Sequence, residues 1–118
     1  STFMTTRIYH NPRCSKSRAT LALLEERGIE AEVVEYLKTP PDAKRLKTLL
    51  RKLGMKAADL IRKNEKEWKE SGLDVDAREE DLIALMVRHP ILIERPIVEV
   101  GDRARIGRPP ESVLELFE

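Results

Sequence analysis

The spacing of apolar residues changes period several times along this chain, and each change marks an element. Ile8 and Tyr9 lie in a short stretch, Arg7–His10, that reads as a strand and is broken by Asn11-Pro12. From Ser15 to Arg27 the pattern is helical, with Ala19 and Leu23, and Leu21 and Leu24, at helical spacings, and Gly28 is placed to end the helix. Glu32–Tyr36, carrying Val33 and Val34, reads as a second strand. Thr39-Pro40-Pro41-Asp42 reads as a helix start in which a hydroxyl caps and proline fills the first turn. Leu46, Leu49, Leu50 and Leu53 then follow at i, i+3, i+4 and i+7, a stripe to be buried, and Gly54 closes it. Ala57–Asn64 reads as a short helix, and Glu65–Ser71 as a charged turn or two anchored by Trp68. Asp76 or Arg78 opens a further helix holding Leu82, Ile83, Leu85 and Met86, ended by His89-Pro90. Pro96–Val100, the Gly101-Asp102 turn and Ala104–Ile106 give a hairpin signal, and Pro109-Pro110 opens a last helix with Val113, Leu114, Leu116 and Phe117.

The order is therefore β-α-β, several helices, then β-β-α. A βαβ unit joins parallel strands by a right-handed crossover, and a hairpin plus helix completes a small mixed sheet. That order fits an α/β, thioredoxin-like (glutaredoxin-like) fold with a helical insertion between its halves, at about residues 42–90. No repeat, low-complexity tract or dividing linker interrupts the chain, so residues 1–118 read as a single domain.

Composition narrows the function classes. The chain carries 22 Lys and Arg against 21 Asp and Glu, a net charge of +1, which argues against coating nucleic acid or anionic membrane by bulk charge. It leaves room for a local basic pocket. A single cysteine excludes an intramolecular disulfide and a cysteine-based zinc site, and two distant histidines make no metal site, so metal ligands are expected to be none. No apolar run approaches the ~20 residues of a membrane-spanning helix. Ser1–Thr6 lacks the pattern of a signal peptide, and the residues before Arg7 read as a short tail. A cytoplasmic, reducing location is the simplest expectation, and one core accounts for the apolar stripes, so a monomer is expected.

The cysteine has the setting of a reactive group. Cys14 follows a strand and heads a helix, where unpaired backbone N–H groups favour negative charge. Arg13, Lys16 and Arg18 add positive charge, and all of these favour the nucleophilic thiolate. The same N–H groups suit an oxyanion beside the sulfur. A buried, inert cysteine would sit among apolar neighbours, which are missing on both sides. Ser17 stands where a C-x-x-C redox motif has its second cysteine, so an external thiol must complete any redox cycle. His10, just before the loop, is suited either to orienting Cys14 or a bound anion, or to a plain hydrogen bond at a strand end. His89 suits a structural place at a helix C-terminus.

An oxyanion needs fixed cationic donors, and the planar guanidinium fork matches it. Arg62 beside a short apolar helix, Arg95 before a strand and Arg108 before a helix stand out, although any one arginine alone is ordinarily solvated. Pro96 has the place in the element order where thioredoxin-like folds put a cis-proline facing the active-site helix.

These residues together resemble the ArsC-type, glutaredoxin-dependent arsenate reductases, and within them the YfgD-like branch. The matching segments are Ile8–Arg18 with its His-Asn-Pro-x-Cys start, Tyr36–Pro41, Leu60–Asn64, His89–Val98 and Ala104–Glu111, spread over nearly the whole chain in the family's order. The resemblance implies a thioredoxin-like fold with a helical insertion and Cys14 as nucleophile. It implies His10 and Ser17 as residues supporting the thiolate, and Arg62, Arg95 and Arg108 as oxyanion-binding arginines. It implies arsenate reduction with glutathione as co-substrate and glutaredoxin as partner, and no bound cofactor. The chain departs from the members best tied to arsenate resistance at Ser15-Lys16, where they carry Gly-Thr, and at Gly107, where they often carry Cys or another bulkier residue.

Two other functions compete. A monothiol oxidoreductase acting on glutathione mixed disulfides would use Cys14 without an anion pocket. A regulator like the Spx proteins, which share this fold, would bind RNA polymerase, but many of those switch through a C-x-x-C pair that Ser17 removes here.

Overall fold

The structure, a computed structural model, describes residues 5–118. Of the expected N-terminal tail, Ser1–Met4 lie outside the described residues, and Thr6 is already the first residue of a strand.

The chain forms two compact units, one from the described residues up to Thr39 together with Arg95–Glu118, the other from Pro40–Glu94. The first unit holds a four-stranded sheet of β1 (Thr6–His10), β2 (Glu32–Glu35), β3 (Ile97–Val100) and β4 (Arg103–Ile106), in the order β2-β1-β3-β4. β1 pairs parallel with β2 across helix α1 (Ser15–Glu26), and antiparallel with β3, which pairs antiparallel with β4. This is the expected α/β mixed sheet of the thioredoxin-like type. Ile8 lies opposite Val98, and both are fully buried. With Val100 and Leu24 of α1, and Val113 and Leu116 of the C-terminal segment, they form one apolar cluster. On β3, Glu99 is buried as a carboxylate that accepts from Tyr9 Oη at 3.2 Å and Arg7 Nη1 at 3.4 Å, so its charge is paired.

Local chemistry sets where several elements differ from expectation. α1 buries Ser17, Thr20 and Leu24, while Ala19 is exposed and Leu23 half-buried, so its inner face is partly polar near the N-terminus. Gly28, at φ +69°, takes the left-handed conformation that follows the helix end at Arg27. The C-terminal segment Pro110–Phe117 is a 3-10 helix rather than an α-helix.

In the second unit, α2 spans Ala43–Leu53 and buries Leu46, Leu49 and Leu50, with Leu53 half-buried. Thr39 is not its cap. Asp42 caps α2 by accepting from the Arg45 N–H at 2.8 Å, and Pro40 and Pro41 precede the cap instead of filling the first turn. α3 is shorter than expected, Ala57–Leu60, because Ile61 leaves the helix to bridge Ile93 and the Arg62 N–H donates to the Leu92 carbonyl at 2.7 Å. α4 (Lys66–Glu70) buries no residue fully, and Trp68 is half-buried. α5 (Glu79–Arg88) starts after Arg78 and buries Leu82, Ile83, Leu85 and Met86, followed by the 3-10 turn Pro90–Leu92. No helix is long and apolar enough to cross a membrane among the described residues.

Candidate active site

Cys14 sits at the N-cap of α1 with extended backbone, half-buried, its carbonyl accepting the Arg18 N–H at 3.0 Å. No side chain caps α1 by a hydrogen bond of ordinary geometry. Instead the Ser17 and Lys16 N–H groups face the sulfur, as the unpaired donors of a helix start face an anion. Burial pushes the thiol up. The Ser17 N–H, the Arg95 guanidinium, the Ser17 hydroxyl and the Lys16 N–H together outweigh it and bring it down to about 7. Near neutral pH a large share of Cys14 is therefore thiolate.

Two arginines meet this sulfur. Arg108 Nη2 donates to Cys14 Sγ at 3.7 Å, and Arg108 Nε donates to the Arg95 carbonyl at 2.9 Å. Arg95 donates to the sulfur from the residue before Pro96. The Arg95–Pro96 bond is cis, as the element order suggested, and the Arg108–Pro109 bond is cis as well. The strand β3–β4 hairpin thus brings Arg95, before β3, and Arg108, after β4, to the head of α1.

Ser17 is fully buried; its hydroxyl accepts the Asn11 N–H at 3.3 Å and donates its proton toward the sulfur. Asn11 was not singled out by the sequence, yet it ties the whole loop. Its carbonyl accepts the Cys14 N–H at 2.9 Å, its Oδ1 accepts the Arg13 N–H at 3.0 Å, and its own N–H reaches Ser17. The asparagine directly after a strand and before Pro12 was the available signal, since such side chains fold turns through neighbouring backbone donors. Arg18 Nη1 donates to the Pro12 carbonyl at 2.9 Å and so steadies the same loop.

His10 is buried, and its Nδ1 has no hydrogen-bond partner among the described residues. Burial lowers its proton affinity; Glu35 opposes this and Arg18 adds to it, and the net shift is downward from the ordinary histidine value. The imidazole is therefore neutral at pH 7. His89 follows α5 at its C-cap.

Arg62 belongs to the second unit, on an extended segment rather than on a helix. Its Nε pairs with Glu65 at 3.2 Å and its Nη1 with Glu94 at 2.7 Å. Burial works against its charge, and the two carboxylates outweigh that and raise its pKa. Among the described residues no group of three or more His, Cys, Asp or Glu could hold a metal ion.

Residues 9–116 match the sequence pattern of the ArsC family. The chain is 58% identical over 112 residues to the uncharacterized protein YfgD of Escherichia coli K12, covering 93% of this chain and 94% of that one. It is 51% identical over 109 residues to an arsenate reductase of Neisseria meningitidis serogroup A, covering 91% of this chain and 93% of the relative. The solved structure of an arsenate reductase from Vibrio cholerae superposes with a TM-score of 0.91 at 50% identity, over 95% of this chain and 97% of that one.

Proposed function

The chain belongs to the ArsC family, and from that premise we propose that it is an arsenate reductase that uses Cys14 as its only thiol and takes its second and third thiols from glutathione and glutaredoxin. The observation that carries this reading is the Cys14 sulfur, lowered to about 7 and held at a helix head between the Arg95 and Arg108 guanidinium groups. A thiolate among fixed cationic donors suits an oxyanion that must be both bound and attacked.

In the proposed cycle the Cys14 thiolate attacks arsenic(V), and one arsenate oxygen leaves as water after protonation. The glutathione thiol displaces a second oxygen as water, so arsenic bridges the two sulfurs. A glutaredoxin thiolate then attacks the glutathione sulfur. The glutathione S–As bond breaks, its electron pair stays on arsenic, and a glutathione–glutaredoxin mixed disulfide leaves. Two thiols are oxidised to one disulfide while arsenic(V) becomes arsenic(III). Hydrolysis of the Cys14–arsenic bond releases arsenite and restores the thiol. Ser17 stands where a resolving cysteine would be, which is why the resolving thiol is external.

Arg95 and Arg108 bind the arsenate oxygens and offset the charge that grows on them, Ser17 holds the thiolate by its hydroxyl, and neutral His10 backs the loop from the strand end. Arg62 enters as the third oxyanion arginine through the family resemblance alone. A cycle that consumes glutathione belongs in a reducing compartment such as the cytoplasm.

The test is NADPH oxidation coupled through glutathione reductase with glutathione, glutaredoxin and arsenate. Arsenate-dependent turnover that Cys14→Ser abolishes is expected. NADPH consumption that ignores arsenate, with activity instead on a glutathione mixed disulfide, would replace this reading by a monothiol oxidoreductase.

A further inference from the structure

Three segments of the first unit carry the site: α1 is headed by Cys14, Pro96 follows Arg95, and Gly107 precedes Arg108. They converge at Gly107. This glycine is buried, and its N–H donates to the Pro96 carbonyl at 2.9 Å. A Cβ placed on it would collide with Thr20 Oγ1, would stand 2.8 Å from Pro96 Cγ, and would be 3.2 Å from Thr20 Cγ2. Real Cβ atoms essentially never come within 3.0 Å of such neighbours, so the first two contacts force a shift, while the third is tight. Thr20 is fully buried on α1, two turns or less from Cys14, and its Oγ1 has no hydrogen-bond partner among the described residues. No hydrogen bond holds its hydroxyl, so what resists an intruding side chain is the packing around a fully buried threonine and the proline ring.

We propose that Gly107 is a positioning residue: its missing side chain lets α1, the Arg95–Pro96 segment and the Arg108 segment close on one another, and so sets the distance of both arginines from the Cys14 sulfur. The conformation does not demand glycine, since Gly107 does not take the left-handed φ found at Gly28, Gly54, Gly72 and Gly101. What demands it is space. In this chain, with Thr20 and Pro96 where they stand, a side chain at 107 must push on Thr20, and through it on the helix that carries Cys14, or on Pro96, and through it on Arg95, or must lift its own neighbour Arg108; relatives with a bulkier residue at this position must therefore space these segments differently. Interiors do not absorb such displacement without shifts in backbone and side chains. The Arg108 contact at 3.7 Å is already long for a nitrogen–sulfur hydrogen bond, so a small outward shift breaks it.

This inference rests on the proposed thiolate and oxyanion site, but its test does not need turnover. The readout is the rate of Cys14 alkylation against pH, with and without sulfate as the oxyanion probe, alongside thermal unfolding. Gly107→Ala is expected to raise the alkylation midpoint from about 7 toward the free-thiol value near ~8.5. It is also expected to weaken protection by sulfate by about tenfold, as for loss of one charge-assisted hydrogen bond. Adding Thr20→Ala removes both Thr20 atoms that the new Cβ would meet and is expected to recover part of both effects. A folded Gly107→Ala with an unchanged midpoint and unchanged sulfate protection would overturn the proposal. If Gly107→Ala does not fold, a double variant that folds with a midpoint still above that of the original chain supports it. A double variant no better folded than the single one overturns it, because Thr20 would then not be the group in the way. Loss of arsenate reduction in the original chain, with these shifts intact, would sink the substrate and leave the positioning role standing.

Discussion

Arg108 reaches Cys14 from 94 positions away in the chain: its Nη2 lies 3.7 Å from the Cys14 sulfur while its Nε holds the Arg95 carbonyl at 2.9 Å. One guanidinium thus touches the nucleophile and pins the segment that carries the second arginine. Arg108→Ala is expected to lower arsenate-dependent turnover by about 10- to 100-fold, the range for a hydrogen bond to a charged group. Arg108→Lys keeps the charge but cannot span both partners, so it should fall between the two. Steady-state kinetics with the alkylation midpoint measured in parallel would show whether thiolate and turnover are lost together.

Asn11 makes three hydrogen bonds in the loop before α1, two through its backbone and one through Oδ1. Asn11→Ala leaves the Arg13 N–H without its acceptor and should cost about 1 kcal/mol of stability. It should also raise the Cys14 midpoint, because the loop that aims the sulfur loosens. Asn11→Asp retains an acceptor for Arg13 but adds negative charge beside the thiolate. It should keep more of the stability and raise the midpoint more. Thermal unfolding and alkylation separate the two effects.

The pH dependence of stability has a definite sign. Cys14 titrates lower in the folded chain, at about 7, than in an unfolded one, near ~8.5. A group lowered by folding contributes stability above its unfolded value and loses it as pH falls through the folded one. Stability should therefore rise between pH 7 and about 8.5, and Cys14→Ser should flatten that rise. His10 is also lowered by burial, so stability should fall as pH drops from the ordinary histidine value toward the lower folded one, where the unfolded imidazole takes a proton and the buried one does not. Denaturant melts across pH would reveal both limbs.

Asp42, not Thr39, caps α2. Asp42→Ala should cost about 1 kcal/mol and leave the Cys14 midpoint where it is. Thr39→Ala loses a hydroxyl contact to the Glu35 carbonyl at 3.4 Å and should cost less. Paired melting curves decide between them.

Arg62 is held by Glu65 and Glu94, so removing it leaves two carboxylates near each other and lowers stability whatever its other role. If it also binds the oxyanion, as the family resemblance implies, Arg62→Ala should raise the KM for arsenate with the Cys14 midpoint unmoved. A purely structural arginine would change the melting temperature alone.

Much of this was legible from periodicity and punctuation. The leucine stripe of α2, the Gly54 stop and the β3–β4 hairpin follow from local pattern, and the polar and basic surroundings of Cys14 pointed to a helix-head thiolate. What local pattern could not carry was anything decided by partners far along the chain. α3 ends early because Ile61 bridges Ile93. The inner face of α1 takes Ser17 and Thr20, where apolar spacing pointed to Ala19 and Leu23, because a turn holding Gly107 packs there. The meeting of Arg95 and Arg108 at the sulfur depends on the hairpin closing, and only the fold shows it.

The most direct measurement is the rate of Cys14 alkylation against pH, with and without arsenate. A midpoint at about 7 and marked slowing of alkylation in the presence of arsenate are expected. A midpoint near the free-thiol value of ~8.5, unmoved by arsenate, would rule out an activated thiolate in an oxyanion site.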